Sequence, residues 1–198
     1  MMDSVVAALR PLSAPPTGPG WNHAEVADLL GSAVRRPAAV LLGIREGVQS
    51  RLVFTVRNRD LLEHPGQVAF PGGCSDPVDA GSAVLTALRE SQEEIQLDPA
   101  LVTPLGYLDR LETVSGYCVT PVVARIAERA QLYPAPHEVA EVFEVPMAFF
   151  FDARNLRRYT MDFRGKERAM VEFVHGGHRI WGATAAIVFN LLQRMGHA

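Results

Sequence analysis

Residues Phe70 to Asp98 read FPGGCSDPVDAGSAVLTALRESQEEIQLD. From about Ser82 to Ile95, apolar and small residues recur at helical spacing, and Val84, Ala87, Leu88, Ser91 and Ile95 form one buried stripe. Glu90, Glu93 and Glu94 fall on a different sector, roughly 100° wide on a helix that turns about 100° per residue. Like charges at this spacing cost a few tenths of a kcal/mol per pair when exposed, and more where water is excluded. Arg89, four residues before Glu93, is the neighbouring cation that can hold that carboxylate in one rotamer. RESQEE can be read as a solvated charged face, although such faces usually interleave lysines. It can also be read as a set of hard oxygens suited to a divalent cation such as Mg²⁺ or Mn²⁺, which would remove the repulsion. Gly72 and Gly73, directly ahead of this segment, let the backbone approach a ligand closely.

Working outward, AAVLLGI and RLVFTVR are compact apolar runs separated by REGVQS, where Gly47 suits the turn of a hairpin. QVAF, LVTPLGYLDRLE, YCVTPVVARI and EVFEVP read as further strands. Pro146 and MAFFF lead into another buried piece. RRYTMDF and RAMVEFVHGGHRIWG suggest a second hairpin turned at Gly176 and Gly177. TAAIVFNLLQRM closes as an amphipathic helix, with Trp181 and the apolar residues after it as core packing. Ahead of all this, LRPLSAPPTGPGW is rich in proline and glycine and reads as an irregular arm. NHAEVADLLGS reads as a short helix with Asn22 as its N-cap and Gly31 near its end. Hairpins mixed with a few helices, without a long βαβ series or an internal repeat, point to an α+β fold with a mixed sheet. Residues 1–35 are read as an N-terminal arm with a short helix, and 36–198 as the main domain.

The chain has 198 residues, enough for one domain, with 48% hydrophobic and 21% charged residues. A formal net charge of −3 and the lack of a Lys/Arg-rich run argue against nucleic-acid binding. No apolar run reaches the roughly 18 residues of a membrane span. The opening MMDSVVAALRPLSAPP has an acidic residue and no cationic start, a poor signal peptide, so a cytoplasmic protein is expected. Cys74 and Cys118 show no CxxC pairing and read as reduced thiols. His175 and His178 flank a two-glycine turn with no third ligand near in sequence, which favours a solvent-facing hairpin tip over a metal pair. The N-terminal arm and MAFFF are the segments read as able to serve a homodimer.

GG followed by ALRESQEEIQL resembles the Nudix box, whose core reads Arg-Glu, apolar, any, Glu-Glu, any, Gly, apolar. HPGQVAFPGG, SGYCVTPVV, HEVAEVFEVP and IWGATAAIVFNLL resemble segments of the branch of Nudix hydrolases that acts on coenzyme A and its thioesters, from about Arg51 to the C-terminus. The resemblance implies an α/β/α sandwich with a mixed β-sheet between helices. It also implies a Mg²⁺ or Mn²⁺ cofactor bound by Glu90, Glu93, Glu94 and the Gly73 carbonyl, with Arg89 orienting the glutamates. The implied reaction is hydrolysis of a diphosphate linkage, giving 3′,5′-ADP and 4′-phosphopantetheine or its acyl form from coenzyme A. The general base is open between Glu93 or Glu94 within the box and Glu138 or Glu141 in PHEVAEV. Arg57, Arg59, His64, Gly66 and Phe70 are the candidate substrate-binding residues, the arginines for phosphates.

Three departures from the family pattern stand out. Ten positions separate Asp79 from Arg89, two more than usual, so the acid of this loop falls to Asp79 or Asp76. Gln96 stands where the box has the glycine that ends the helix, so a residue with a Cβ must take that conformation. Leu62 replaces the second arginine of the coenzyme A branch. The alternatives kept open are a Nudix hydrolase of another nucleoside diphosphate derivative, such as ADP-ribose or a dinucleotide, and a Nudix-fold binding protein without turnover.

Overall fold

The computed structural model describes residues 1–31 and 34–197. Its helices are α1 (Met2–Ala8), α2 (His23–Val26), α3 (Ala83–Ile95), α4 (Met147–Phe151) and α5 (Gly182–Arg194). Its strands are β1 (Arg36–Arg45), β2 (Arg51–Arg57), β3 (Val68–Ala69), β4 (Gly72–Cys74), β5 (Val102–Tyr107), β6 (Leu111–Glu112), β7 (Tyr117–Ile126), β8 (Val139–Pro146), β9 (Arg157–Phe163), β10 (Lys166–His175) and β11 (His178–Ile180).

The central sheet runs β3-β2-β1-β7-β5, with β8 also on β2, β4 on β1 and β6 on β7. β1 and β7 pair in parallel over their full ten residues, whereas the other pairings are antiparallel, so the sheet is mixed as expected. Alternation along β1 sends Leu42 and Ile44 to one face and Ala39 and Leu41 to the other. On the first face they pack with Val5 of α1, Met147 and Phe150 of α4, and Ala185, Val188 and Leu191 of α5. On the second they meet Ala83, Ala87, Leu88 and Ile95 of α3. A mixed sheet between helices is therefore the architecture, and α3 with its carboxylates has one face of the sheet largely to itself.

Several local expectations change. Asn22 precedes α2 but does not cap it: its amide donates to the Glu112 carbonyl (2.8 Å) and accepts from the Glu112 N–H (2.9 Å), which fastens the arm to β6. The predicted helix extends only to Val26, and its far end at Ser32 lies outside the described residues. The second hairpin is a three-stranded meander, β9-β10-β11, because Arg164 and Gly165, both at positive φ, make an additional tight turn before the one at Gly176 and Gly177. The turn at Gly176 and Gly177 is exposed as expected, but the flanking His175 and His178 are half-buried against aromatic rings. His178 stacks on Phe143 (3.8 Å between centroids) and its Nε2 lies 3.1 Å from Glu141, while His175 meets the edge of Phe149. Within MAFFF, Met147 and Phe150 are buried against Phe173 and α5, whereas Phe149 and Phe151 are half-buried and Ala148 is exposed. Among the described residues no helix is long and apolar enough to cross a membrane.

Candidate active site on the acidic helix

α3 begins at Ser82, whose Oγ accepts the Leu85 N–H (3.3 Å), so a side chain satisfies one of the free donors of the first turn. The helix ends at Gln96 in the left-handed conformation (φ 54°, ψ 29°), with its N–H on the Gln92 carbonyl and fully buried Leu97 covering the last turn. The family glycine is absent but its geometry is kept, at the strain cost of a Cβ.

The extended loop before α3 folds into a short 3-10 turn, Pro77–Asp79, capped by Asp76, whose carboxylate accepts the Val78 N–H (3.0 Å). This turn delivers Asp79 beneath the helix. Asp79, 2% exposed, receives Arg89 Nε and Nη2 at 3.0 Å each, the Thr86 hydroxyl at 2.8 Å and the Asp76 N–H at 2.9 Å. The bidentate Arg89 guanidinium is the main reason its carboxyl is held far below the usual carboxylate range. The two extra residues thus form a turn and leave an acid against Arg89, with Asp76 as its cap. Thr86 was missed in the sequence; a threonine on the stripe side, seven residues after an acid, was the available signal.

Arg89 is a hub rather than a partner of Glu93 alone. Its Nη1 donates to Glu90 (2.7 Å) and Glu93 (3.2 Å), and its Nη2 also reaches the Cys74 carbonyl (3.0 Å). The three glutamates differ in burial: the Glu93 side chain is 57% exposed, Glu90 15% and Glu94 5%. The expected separation of the carboxylates from the buried side of the helix therefore fails at Glu94, while Val84 and Leu88 of the predicted stripe are only half-buried. Glu94 turns under the loop and accepts the Gly72 N–H (3.1 Å). Burial pushes its carboxyl up to about 7, and the negative charges of Glu90 and Glu138 add to the rise, against the pull of Gly72 and Arg57. Burial likewise raises Glu90, partly offset by Arg89.

β4 brings the two-glycine loop onto β1, with Gly73 opposite Ala39. A Cβ on Gly73 would collide with the Glu90 carboxylate, and one on Gly72 would strike the backbone of Ala39 and Val40. The approach of this loop to β1 therefore requires Gly72, whereas a side chain in place of Gly73 would displace the Glu90 carboxylate from its present place.

The substrate-side candidates gather at the end of β2. A bulge between Val56 and Arg57 in the β2–β8 pairing turns Arg57 toward Glu94, 3.9 Å away. The loop after it closes on itself, since Gly66 N–H reaches the Arg57 carbonyl and Arg59 lies against Gly66. His64 sits in that loop at φ 55° and is exposed, with Leu62 fully exposed beside it. Asn58, unrecognised in the sequence, donates its side-chain N–H to the Pro136 carbonyl (2.6 Å) and its backbone N–H to Glu138. It thereby ties the exposed Glu138 to the Arg57 end of the sheet. Phe70 differs from expectation: it is 3% exposed and stacked on Phe54 (4.7 Å), so it supports the glycine loop from the core instead of meeting a ligand. Glu141, on the opposite face from Arg57, is occupied by His178.

The chemistry of the donors fits a divalent cation: a buried and a half-buried carboxylate, both with raised pKa, a third at their edge, and a glycine loop close beside them. Among the described residues no three His, Cys, Asp or Glu side chains already converge on one point, because Arg89 draws Glu90 and Glu93 while Glu94 bonds Gly72.

The site thus joins a carboxylate helix, a buried Asp79–Arg89 pair and a two-glycine loop on one face of a mixed sheet. No family model matches the chain. A protein of Pectobacterium atrosepticum bearing the name "Uncharacterized Nudix hydrolase NudL" is 42% identical over 159 residues, 79% of this chain and 81% of the relative. Its namesake in Escherichia coli K12 is 40% identical over 164 residues, 81% of this chain and 83% of the relative. Among solved structures, a Nudix hydrolase of M. smegmatis, RenU, is similar at 23% identity and a TM-score of 0.48, covering 59% of this chain and 74% of that one. The chain belongs to the Nudix hydrolase family. It is thus a hydrolase of the class that acts on nucleoside diphosphate derivatives, enzymes that generally use divalent metal ions.

Proposed function

We propose that this hydrolase cleaves the diphosphate linkage of coenzyme A or its thioesters, with Glu90, Glu93, Glu94 and the Gly73 carbonyl as the holders of Mg²⁺ or Mn²⁺. The observation that supports the metal site most is Glu94: a carboxyl buried beside Glu90 and Glu138, its pKa raised to about 7, gains most from a nearby cation, while the coenzyme A substrate rests on the resemblance of the surrounding segments. A bound divalent ion would supply charge neutralisation of the diphosphate and a more acidic water.

The side chains divide the remaining work. Asp79 fixes Arg89, and Arg89 sets the rotamers of Glu90 and Glu93. Arg57 and Arg59 meet the phosphates, Arg57 first because it already borders Glu94. Glu138, exposed and charge-coupled to Glu90 and Glu94, takes the proton of the attacking water, with Glu93 or Glu94 as the alternative bases.

The second reading is a different nucleoside diphosphate derivative, such as ADP-ribose or a dinucleotide. It is favoured by Leu62, exposed and uncharged where the coenzyme A branch carries an arginine. Incubation of the purified protein with Mg²⁺ and a panel of these compounds separates the two. Release of 3′,5′-ADP and 4′-phosphopantetheine from coenzyme A supports the first; coenzyme A left intact while ADP-ribose is cleaved rejects it.

A further inference from the structure

β9 forms one edge of the β9-β10-β11 sheet, and among the described residues its outer side pairs with no strand. The tight turn at Arg164–Gly165 sets which groups that edge offers. In a two-residue hairpin the closing pair, Phe163 and Lys166, is hydrogen-bonded, and bonded and non-bonded pairs then alternate. Arg158, Thr160 and Asp162 therefore fall at non-bonded positions, where their N–H and C=O groups point away from β10 toward solvent.

Natural edge strands are blunted by a proline, a bulge, an inward-pointing charge or charged side chains along the edge, and of these β9 shows charges of both signs, Arg157, Arg158 and Asp162. Arg157 to Phe163 reads RRYTMDF, without proline, and its pairing with β10 is regular over all seven residues. Its outward positions carry, in order, a positive, a neutral and a negative side chain. That order is self-complementary under a two-fold axis. If two copies of β9 run antiparallel about Thr160, Thr160 faces its counterpart and each Arg158 faces the other copy's Asp162. The three outward positions become the hydrogen-bonded pairs of the new ladder, and Tyr159 meets Met161 on the opposite face. A shift of the centre by one residue either way keeps the outward groups in register but sets Arg158 or Asp162 against Thr160, losing both ion pairs.

The monomer holds these side chains ready. Arg158 lies with its guanidinium over Phe189 (4.9 Å), on the same face as Asp162. Asp162 accepts the Gly165 N–H (3.2 Å) with one oxygen and sits directly across β10 from Glu167, a like-charge pair at the hairpin tip. A cation from a second copy removes that repulsion.

We infer that the outer edge of β9 is an interface for a second copy of this chain, an antiparallel β9–β9 pairing centred on Thr160 and set in register by two Arg158–Asp162 ion pairs. The surface is separate from the acidic helix: α3 packs on one face of the central sheet, and β10 packs with α5 on the other.

The test is the mass in solution of the full chain, by sedimentation equilibrium over a concentration series at low salt. The wild type is expected to approach twice the 21.6 kDa chain mass, with weaker association at high salt. Asp162→Arg sets Arg against Arg and should weaken association roughly 10- to 100-fold, since two cross-strand pairs reverse sign. Because it also relieves the contact with Glu167, the variant should fold as well as the wild type by circular dichroism. The double charge swap R158D/D162R restores the complementarity and should restore the dimer. Thr160→Pro, at an N–H that β10 does not use, should give a folded monomer. A wild type that stays monomeric up to its solubility limit overturns the inference. So does a dimer indifferent to both Asp162→Arg and Thr160→Pro, or a double swap that associates no better than Asp162→Arg alone.

Discussion

Replacing Glu94 by glutamine should stabilise the metal-free protein while abolishing turnover. Glu94 is 4% exposed, and its pKa rises from the usual 4.5 to about 7. Below pH 4.5 both the folded and unfolded chains hold the proton, and the full stability is present. Between 4.5 and about 7 the unfolded chain releases that proton while the folded one keeps it, so stability falls as pH rises through this window. The shift corresponds to a penalty of about 3 kcal/mol above pH 7, most of which glutamine avoids, since its carbonyl can still accept the Gly72 N–H. Urea unfolding in EDTA at pH 5 and pH 8, followed by the fluorescence of Trp21 and Trp181, reads the difference directly. Glu94→Gln should be more stable than wild type by about 2–3 kcal/mol at pH 8 and by less than about 1 kcal/mol at pH 5. Saturating Mg²⁺ should narrow or reverse the gap, because a ligand at 100 times its dissociation constant adds about 2.7 kcal/mol to the form that binds it. A variant no more stable than wild type at pH 8 without metal, with a difference independent of pH, would refute the picture of Glu94 as an uncompensated buried carboxylate.

Asp79→Asn, which leaves Arg89 without its bidentate partner, should cost about 2–3 kcal/mol and lower turnover through misplaced Glu90 and Glu93; a loss under about 0.5 kcal/mol in urea unfolding contradicts the anchoring role. Gln96→Gly should raise stability by about 0.5–1 kcal/mol by relieving the left-handed conformation, and a destabilised variant would show that the glutamine contributes a compensating contact. Glu138→Gln should reduce kcat by about 10²- to 10⁴-fold with little change in KM, whereas a wild-type kcat would move the general base to Glu93 or Glu94.

The sheet and the two long helices were legible because their patterns are local. Compact apolar runs, buried on both faces, mark β1 and β7, and the 3.6-residue period marks α3 and α5. What escaped was set by contacts distant in sequence. Asn22 looks like a helix cap, but its amide is taken by Glu112, ninety residues away. Glu94 looks like one of three equivalent surface glutamates, and only the approach of the glycine loop buries it. Phe70 belongs to a motif associated with ligand binding, yet the ring stacks of Phe54, Phe143 and Phe150 place it in the core. His178 flanks a glycine turn that is itself exposed, and its partner Phe143 lies on another strand. The choice between Asp76 and Asp79 depended on whether the longer loop would coil, and Asp76 had the cap residue's chemistry to make it do so.

The most direct measurement is Mn²⁺ binding followed by electron paramagnetic resonance, on the wild type and on the Glu90→Gln/Glu94→Gln double variant at pH 8. The wild type should remove the signal of free Mn²⁺ in a saturable titration, and the folded double variant should bind at least about 100-fold more weakly, the loss of two direct ligands exceeding the 10- to 100-fold typical of a single outer partner. Equal affinity in the two proteins would contradict the assignment of the acidic face of α3 as the metal site.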